Sequence, residues 1–285
     1  MTGPVGPVVV GLDGSPASVT AAWWAADEAA RRRLPLVLLH SWTTQPLNVP
    51  IPQEARSKQQ YGRDVLRRAQ AELLHRHPDL DLTTELVSEP AAKALLERAA
   101  DAAVLVLGSR GHGSLAGFLL GSISLHVLGL APCPTVTVRA GDLAVEESWE
   151  NPAAAERDEV VVGVRDPEAA ADPVLEFAFT AAQAYGVGVR AVRARAHEGR
   201  AEAEESALLG AALAPWREKF PDVPVVVEQV VTGTAAQALV SASARGRLMV
   251  IGRRRHTSPL TWKLGPVAHT VLHHAVSPVA VVPHD

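Results

Sequence analysis

The sequence predicts an α/β protein made of two tandem open parallel sheets, five strands each, with helices on both faces. Three observations predict it. Short, continuously apolar runs alternate with longer amphipathic or Ala-rich segments, as at residues 8–11, 36–40 and 103–107. Strands that are apolar along their whole length are those buried on both faces of a parallel sheet. A glycine-rich stretch at 104–124 joins one such run to a helical segment, and the second half of the chain repeats the first.

The elements follow in order. Residues 5–12 read as the first strand, and Asp13-Gly14-Ser15-Pro16 as a turn able to cap the helix at 17–33. The second strand is 36–40, followed by a loop at 41–52 that holds three prolines. A polar amphipathic helix at 54–75 leads to a strand at 82–87, a helix at 91–100 and the fourth strand at 103–107. Ser122 is a candidate N-cap for a helix at 123–130, and 135–138 is the fifth strand. In such a sheet ligands sit at the carboxyl ends of the strands near the topological switch point. Asp13, after strand one, and Gly108, after strand four, lie at the neighbouring ends where that point falls.

Residues 141–157 are acidic, contain Asn151-Pro152 and an Ala run, and read as a linker. The domains expected are 1–142 and 158–285. Val160-Val161-Val162-Gly163 repeats Val8-Val9-Val10-Gly11, and Leu248 to Gly252 repeats Leu105 to Gly108 in position. Gly11 and Gly163 stand 152 apart, Gly108 and Gly252 only 144 apart. The second copy is therefore eight residues shorter over this span, a shortening expected in the loop after its second strand.

Composition narrows the classes. The chain has 285 residues, is 47% hydrophobic and carries a net charge of −4, which gives no support for nucleic-acid binding. Its single cysteine, Cys133, excludes an intrachain disulfide and reads as a small buried apolar residue. No secretory leader and no run of membrane-spanning length is visible, so a soluble cytoplasmic protein without membrane contact is expected.

The 104–124 stretch has the order strand, glycine-rich loop, helix start, a geometry that binds phosphate through backbone N–H groups and the helix dipole. Its spacing is specific: Gly108, two residues, Gly111, nine residues, then Gly121-Ser122. No P-loop signature occurs, the likeness to a dinucleotide fingerprint is loose and follows the wrong strand, and no Gly-x-Ser-x-Gly elbow is present. The spacing resembles the ATP-binding signature of the universal stress proteins, and the duplication resembles their tandem form. The resemblance implies a Rossmann-like fold related to the adenine-nucleotide alpha-hydrolases.

The resemblance also implies a set of ligand residues. Asp13 would contact the adenosine part of ATP; read from the residues alone, it serves equally well as a helix cap, a task Ser15 could also perform. Ser41 would bind adenine through its backbone. Val87 would line the adenine pocket or simply belong to the core. Gly108, Gly111, Gly121 and Ser122 carry over as phosphate and ribose contacts. Arg110, His112 and Gly113 share that loop, and Ile123 and Ser124 the first helical turn. Mg²⁺ would accompany ATP, held by phosphate oxygens and water, with no dedicated protein ligands. Dimers of the family form through the last strands, here 135–138 and 279–282, so the two copies could pair with each other, or whole chains could form a homodimer.

The second copy departs from the pattern. Arg165 replaces Asp13, Arg255 replaces Gly111 and Pro266 replaces Ser122. ATP is therefore expected mainly in the first domain, with Arg253 to Arg255 either a solvated basic loop or an anion contact. His269 and His273 are four apart on one helix face, but no third ligand lies near, so a solvated or interface pair is the better reading. No general base, nucleophile or carboxylate pair surrounds the loop. The expectation is a regulatory ATP-binding protein with at most slow hydrolysis. The alternatives are an enzyme on adenine nucleotides and an adaptor that keeps the fold without nucleotide.

Overall fold

The structure is a computed structural model. It describes residues 6–43, 52–109, 121–150, 157–165, 173–194, 202–230, 233–255 and 264–285. The chain divides into two units, Met1–Ala154 and Ala155–Asp285. The first comprises β1 (Val8–Gly11), α1 (Pro16–Arg32), β2 (Leu36–Thr43), α2 (Pro52–Arg76), β3 (Leu82–Pro90), α3 (Ala91–Ala99), β4 (Val104–Ser109), α4 (Ser122–Leu130), β5 (Thr135–Arg139) and α5 (Leu143–Glu150). The second comprises β6 (Glu159–Gly163), α6 (Pro173–Tyr185), β7 (Gly188–Ala194), α7 (Glu202–Lys219), β8 (Val225–Val230), α8 (Ala235–Ala242), β9 (Gly246–Arg254), α9 (Pro266–His274) and β10 (Val279–His284).

Within the first unit the strand order is β3-β2-β1-β4-β5, with every neighbouring pair parallel. Within the second it is β10-β9-β6-β7-β8, again parallel throughout. The α/β reading of the sequence is what the structure has. Val8, Val9 and Val10 of β1 and Val104, Leu105 and Val106 of β4 are fully buried, as continuous apolar strands with helices on both faces must be. The edge strand β3 instead places Thr83, Thr84 and Ser88 in solvent, which blunts an edge that would otherwise invite pairing. In the second unit Arg190 of β7 bonds Glu159 at 2.6 and 2.8 Å and Glu228 at 2.9 Å, stitching β7 to both neighbours.

The strand order reverses between β1 and β4, whose carboxyl ends align through Gly11 and Leu107. Ser15 caps α1, its Oγ accepting from the Ser18 N–H at 3.3 Å, and Pro16 sits at the first helical position. The chain leaves α1 through Arg33 in the left-handed region, φ 55°. Gly108 ends β4 against the start of this helix: a Cβ there would stand 2.6 Å from the Ala17 carbonyl carbon and oxygen and 2.7 Å from the Ser18 nitrogen. No rearrangement of side chains relieves a backbone contact of that kind.

Three expectations need correction. The segment 141–157 is not a plain linker: α5 lies inside it and belongs to the first unit. Asp142 starts this helix, its Oδ1 accepting from the Ala144 N–H at 3.2 Å. Val145 is buried, and Trp149 stacks on Trp23 of α1 at 5.8 Å between centroids. Residues 145 and 149 are one helical turn apart, and the glutamates between them disguise that stripe as an acidic tether.

Most of the shortening of the second copy lies in the helix that follows the loop: α7 has 18 residues where α2 has 25. Finally, the N-cap of α4 is Gly121, and Ser122 is its first helical residue.

The Gly108 contact generates a prediction. Gly108→Ala is expected to destabilise the protein by about 1–3 kcal/mol or more, as overpacking against fixed atoms does. Gly11→Ala is expected to cost less, because its Cβ would meet only the side chains of Leu95 at 3.1 Å and Leu107 at 3.3 Å. Urea unfolding of the two variants checks this; an equal or smaller loss for Gly108→Ala contradicts it.

Candidate functional site

A cleft of about 220 Å³ opens in the first unit at the carboxyl ends of β1, β2 and β4. Three walls matter. The turn after β1 contributes Asp13 and Ser15, the end of β2 contributes Leu39 and Ser41, and the start of α4 contributes Gly121 to Ser124. Gly108, Leu107 and Leu95 form the floor. The register explains the convergence: β1 lies between β2 and β4, so their three ends are adjacent.

Asp13 is held in a network of local bonds. Its Oδ1 accepts from the Ser15 N–H at 2.9 Å, and its own N–H donates to Ser18 Oγ at 3.4 Å. Ser18 Oγ in turn donates to the Ser15 carbonyl at 2.9 Å. The cap of α1 is thus Ser15, and Asp13 braces the turn with one carboxylate oxygen while remaining exposed at the cleft. Both readings of Asp13 made from the sequence are compatible with this geometry. Ser41 donates its hydroxyl to the Glu89 carbonyl on β3.

The start of α4 lines the cleft with Gly121 to Ser124. The first intrahelical bond runs from Leu125 N–H to the Gly121 carbonyl at 3.0 Å, and no side chain caps the helix. The amides of Ser122, Ile123 and Ser124 precede that bond, so the helix offers them no acceptor. Ser122 and Ile123 are exposed. Three such donors with the positive end of the helix dipole suit an anion.

Beneath the Asp13 turn lies His40 of β2, 5% exposed, with its Nδ1–H donating to the Leu12 carbonyl at 2.8 Å. Burial pushes its imidazole below the ordinary value of 6.5, against the opposing pulls of that hydrogen bond and of the Asp13 charge. At the end of β5, Arg139 pairs in register with Ser109. Burial lowers its guanidinium to about 10, opposed by Asp142, so it stays charged at neutral pH.

Of the residues singled out in the sequence, Asp13, Ser41, Gly108, Gly121, Ser122, Ile123 and Ser124 meet at this cleft. Val87 pairs with Ser41 across β2 and β3 but packs against the core cluster that contains Leu39 and Leu95, and it is not among the cleft-lining residues. Arg110, Gly111, His112 and Gly113 lie outside the described residues. Leu39, Leu95 and Ala91 line the cleft without a signal in the sequence that separates them from ordinary core.

The second unit differs at the matching places. Arg165 is exposed where Asp13 stands. The strand β9 continues through Arg254, pairing Arg253 with Pro283 and Arg254 with His284, and the Arg255 N–H still donates to the His284 carbonyl at 2.7 Å. The arginine run therefore belongs to strand β9 and its edge, while the matching Arg110 and Gly111 lie outside the described residues. Gly265 precedes α9 with φ −62° and ψ 160°, close to the −61° and 152° of Gly121, but Pro266 brings no N–H to the first turn. His269 and His273 face each other at 4.3 Å between ring centroids. Among the described residues no group of three His, Cys, Asp or Glu side chains could hold a metal, and no helix is long and apolar enough to cross a membrane.

Comparison with known proteins agrees with this architecture. Residues 4–139 and 156–283 each match the profile of the universal stress protein family. Two universal stress proteins of Mycobacterium tuberculosis are 32% and 31% identical to the chain. The first match spans 96% of both chains, the second 96% of this chain and 95% of the relative. The crystal structure of a universal stress protein from Archaeoglobus fulgidus superposes with a TM-score of 0.77 over 98% of both chains at 17% identity, which shows the shared fold.

The buried imidazole predicts a pH dependence. The unfolded chain takes up the His40 proton first as pH falls, so its neutral form contributes stability that is complete above pH 6.5 and is lost as pH drops toward the lower folded value. Unfolding free energies measured at about pH 7.5 and about pH 5.5 should fall more for the wild type than for His40→Asn, whose amide can still donate to Leu12. Equal losses contradict a neutral buried His40.

Proposed function

The chain belongs to the universal stress protein family, and from that premise we propose that its first unit binds ATP in the cleft between the Asp13 turn and α4. The observation that carries the reading is that the start of α4, without a side-chain cap, lines the cleft through Ser122 to Ser124 together with the Asp13 carboxylate of the β1 turn. The amides and the Ser122 hydroxyl would take phosphate oxygens. Asp13 would accept from the adenine amino group or a ribose hydroxyl, and the Ser41 backbone would meet adenine. The Ser41 hydroxyl is already engaged by β3, which fits a backbone role. Arg110, Gly111, His112 and Gly113 belong to the same proposed phosphate loop. Mg²⁺ would arrive with the phosphates, since the described residues offer no metal cluster of their own.

Catalysis is not part of the proposal beyond slow hydrolysis. Around the cleft Asp13 is the one carboxylate among the lining residues, and it is braced against the Ser15 N–H. The role proposed is therefore regulatory: a cytoplasmic protein whose state depends on the adenine nucleotide it holds. The second unit is proposed to bind ATP weakly or not at all, because Arg165, Arg255 and Pro266 stand where the first unit has the Asp13 carboxylate, the Gly111 loop glycine and the Ser122 amide.

Ser122→Pro tests the reading by installing the second unit's own residue. Gly121 already has the extended conformation a following proline requires, and the Ser122 N–H makes no helical bond, so the helix should keep its stability. The substitution removes both the N–H and the hydroxyl; the loss of even one charge-assisted bond costs about 1.5–3 kcal/mol, so a loss of at least roughly tenfold to a hundredfold in affinity is expected. Calorimetry should find one ATP per wild-type chain and this loss in the variant at unchanged melting temperature. Two equivalent sites per chain, or unaltered affinity in Ser122→Pro, overturns the assignment.

A further inference from the structure

Helix α2 reaches over the β1 turn through one exposed aromatic side chain. Tyr61 is 53% exposed, yet its hydroxyl donates to the Asp13 carbonyl at 3.3 Å. A Cβ on Gly14, which has φ +82°, would stand 2.2 Å from that hydroxyl. The tyrosine therefore lies directly on the turn, and the left-handed backbone favours glycine there. The close approach of α2 has its own cause. A Cβ on Gly62 would meet His40 Cδ2 at 2.6 Å and Leu86 Cδ1 at 2.7 Å, so the helix sits against β2 and β3 at the residue next to Tyr61. His40 completes the arrangement, edge-on to the Tyr61 ring at 6.1 Å and bonded to the Leu12 carbonyl at 2.8 Å.

Two successive carbonyls, those of Leu12 and Asp13, are thus tied by side chains from β2 and α2. The Asp13 N–H and carboxylate are tied by Ser18 and Ser15. The second unit reaches a comparable result by another route. Counting from the buried Leu66 and Leu209, Glu204 stands where Tyr61 does. There the carbonyl of Arg165, the counterpart of Asp13, accepts instead from Nη1 of Arg193 at 2.8 Å, and Arg193 occupies the register position of His40. A donor to this one carbonyl is present in both units although the residues that supply it are unrelated.

We propose that Tyr61 is a positioning residue for the nucleotide site: its hydroxyl locks the Asp13 carbonyl and so presents the Asp13 carboxylate to an adenine nucleotide in a fixed orientation. The inference rests on the reading of the cleft as that site. Tyr61 acts from outside the cleft wall, and its partner is protein backbone, so it shapes affinity through Asp13. Preorganisation of this kind raises affinity by removing the ordering cost from the binding step. It also couples α2 to occupancy, because a ligand held by Asp13 favours the state in which α2 is docked on the turn.

Tyr61→Phe removes one oxygen and leaves the ring against His40. The expected result is a threefold to tenfold weaker binding of Mg-ATP by calorimetry, the worth of one neutral hydrogen bond, with the melting temperature within about 2 °C of wild type. The same substitution in an Asp13→Ala background should produce no further loss, which a purely structural effect would not reproduce. Unchanged ATP affinity in Tyr61→Phe, or an undiminished loss in the Asp13→Ala background, overturns the positioning role. If Ser122→Pro weakens ATP binding while Tyr61→Phe does not, the clamp alone is wrong. If the wild-type chain binds no adenine nucleotide, both readings are wrong.

Discussion

The carboxyl end of β4 presses on the backbone of α1 at Gly108, and the cleft exists because of that contact. With no Cβ at 108, the first turn of α1 comes within 2.6 Å of where that atom would be. The helix start carries Ser15 and Ser18, which hold Asp13 by two hydrogen bonds. Strand end, helix start and turn are therefore one close-packed assembly, and interiors at native density transmit any displacement of one part to the others. Gly108 was singled out from the sequence as a phosphate contact. Its first task is steric: it brings the β1 turn to the edge of the space that α4 faces.

The second unit keeps the sheet and relaxes this constraint. Its counterpart, Gly252, would direct a Cβ at side-chain atoms, His284 at 2.9 Å and Val174 at 3.1 Å, and not at helix backbone. Side chains can move where backbone cannot, so the glycine there is less strictly required. In the same neighbourhood β9 runs on to Arg254, and its hydrogen bonding to β10 continues through Arg255. Two copies of one fold have thus parted at the ends of their strands, while the first strands repeat as Val-Val-Val-Gly and the parallel strand order is the same in both units. Fold and function are separable in this way because the core is insensitive to what the strand ends carry.

Much of this was legible in the sequence, for physical reasons. The buried strands show because they must be apolar on both faces, and Val8 to Val10 or Val104 to Val106 admit little else. The glycine spacing after β4 shows because a close backbone approach tolerates no side chain. The linker reading failed at α5 because its buried residues, Val145 and Ser148, are few, its Trp149 is only half-buried and its glutamates are many. A short helix held by one tryptophan stack leaves almost no periodic signal. Ser122 looked like a cap because serine favours that position, yet the chain uses Gly121 and leaves the serine inside the first turn. Tyr61 and His40 gave no signal at all. Their roles arise from contacts between residues 48 and 28 positions apart in the chain, which no local pattern encodes. The isolated glycine at 62 was the one hint, since a helix interior keeps glycine at a cost only when something packs close.

The capping pattern makes a last distinction. Helices α1 and α8 are capped by Ser15 and by the Thr234–Gln237 box, as stable helices in a parallel sheet are expected to be. Helices α4 and α9, at matching places in the two units, have no side-chain cap and start after glycines of nearly identical conformation. A local rule broken once is an accident of packing; broken at the same place in both copies, it is a property of the unit that was duplicated. What differs is the next residue. Serine leaves an N–H and a hydroxyl at the first turn, whereas proline removes both and fixes φ for the helix. In the second copy proline supplies a φ already suited to the first helical position of α9 and no donor. The first copy keeps both donors at the start of α4, and these are the groups the proposed phosphate would engage.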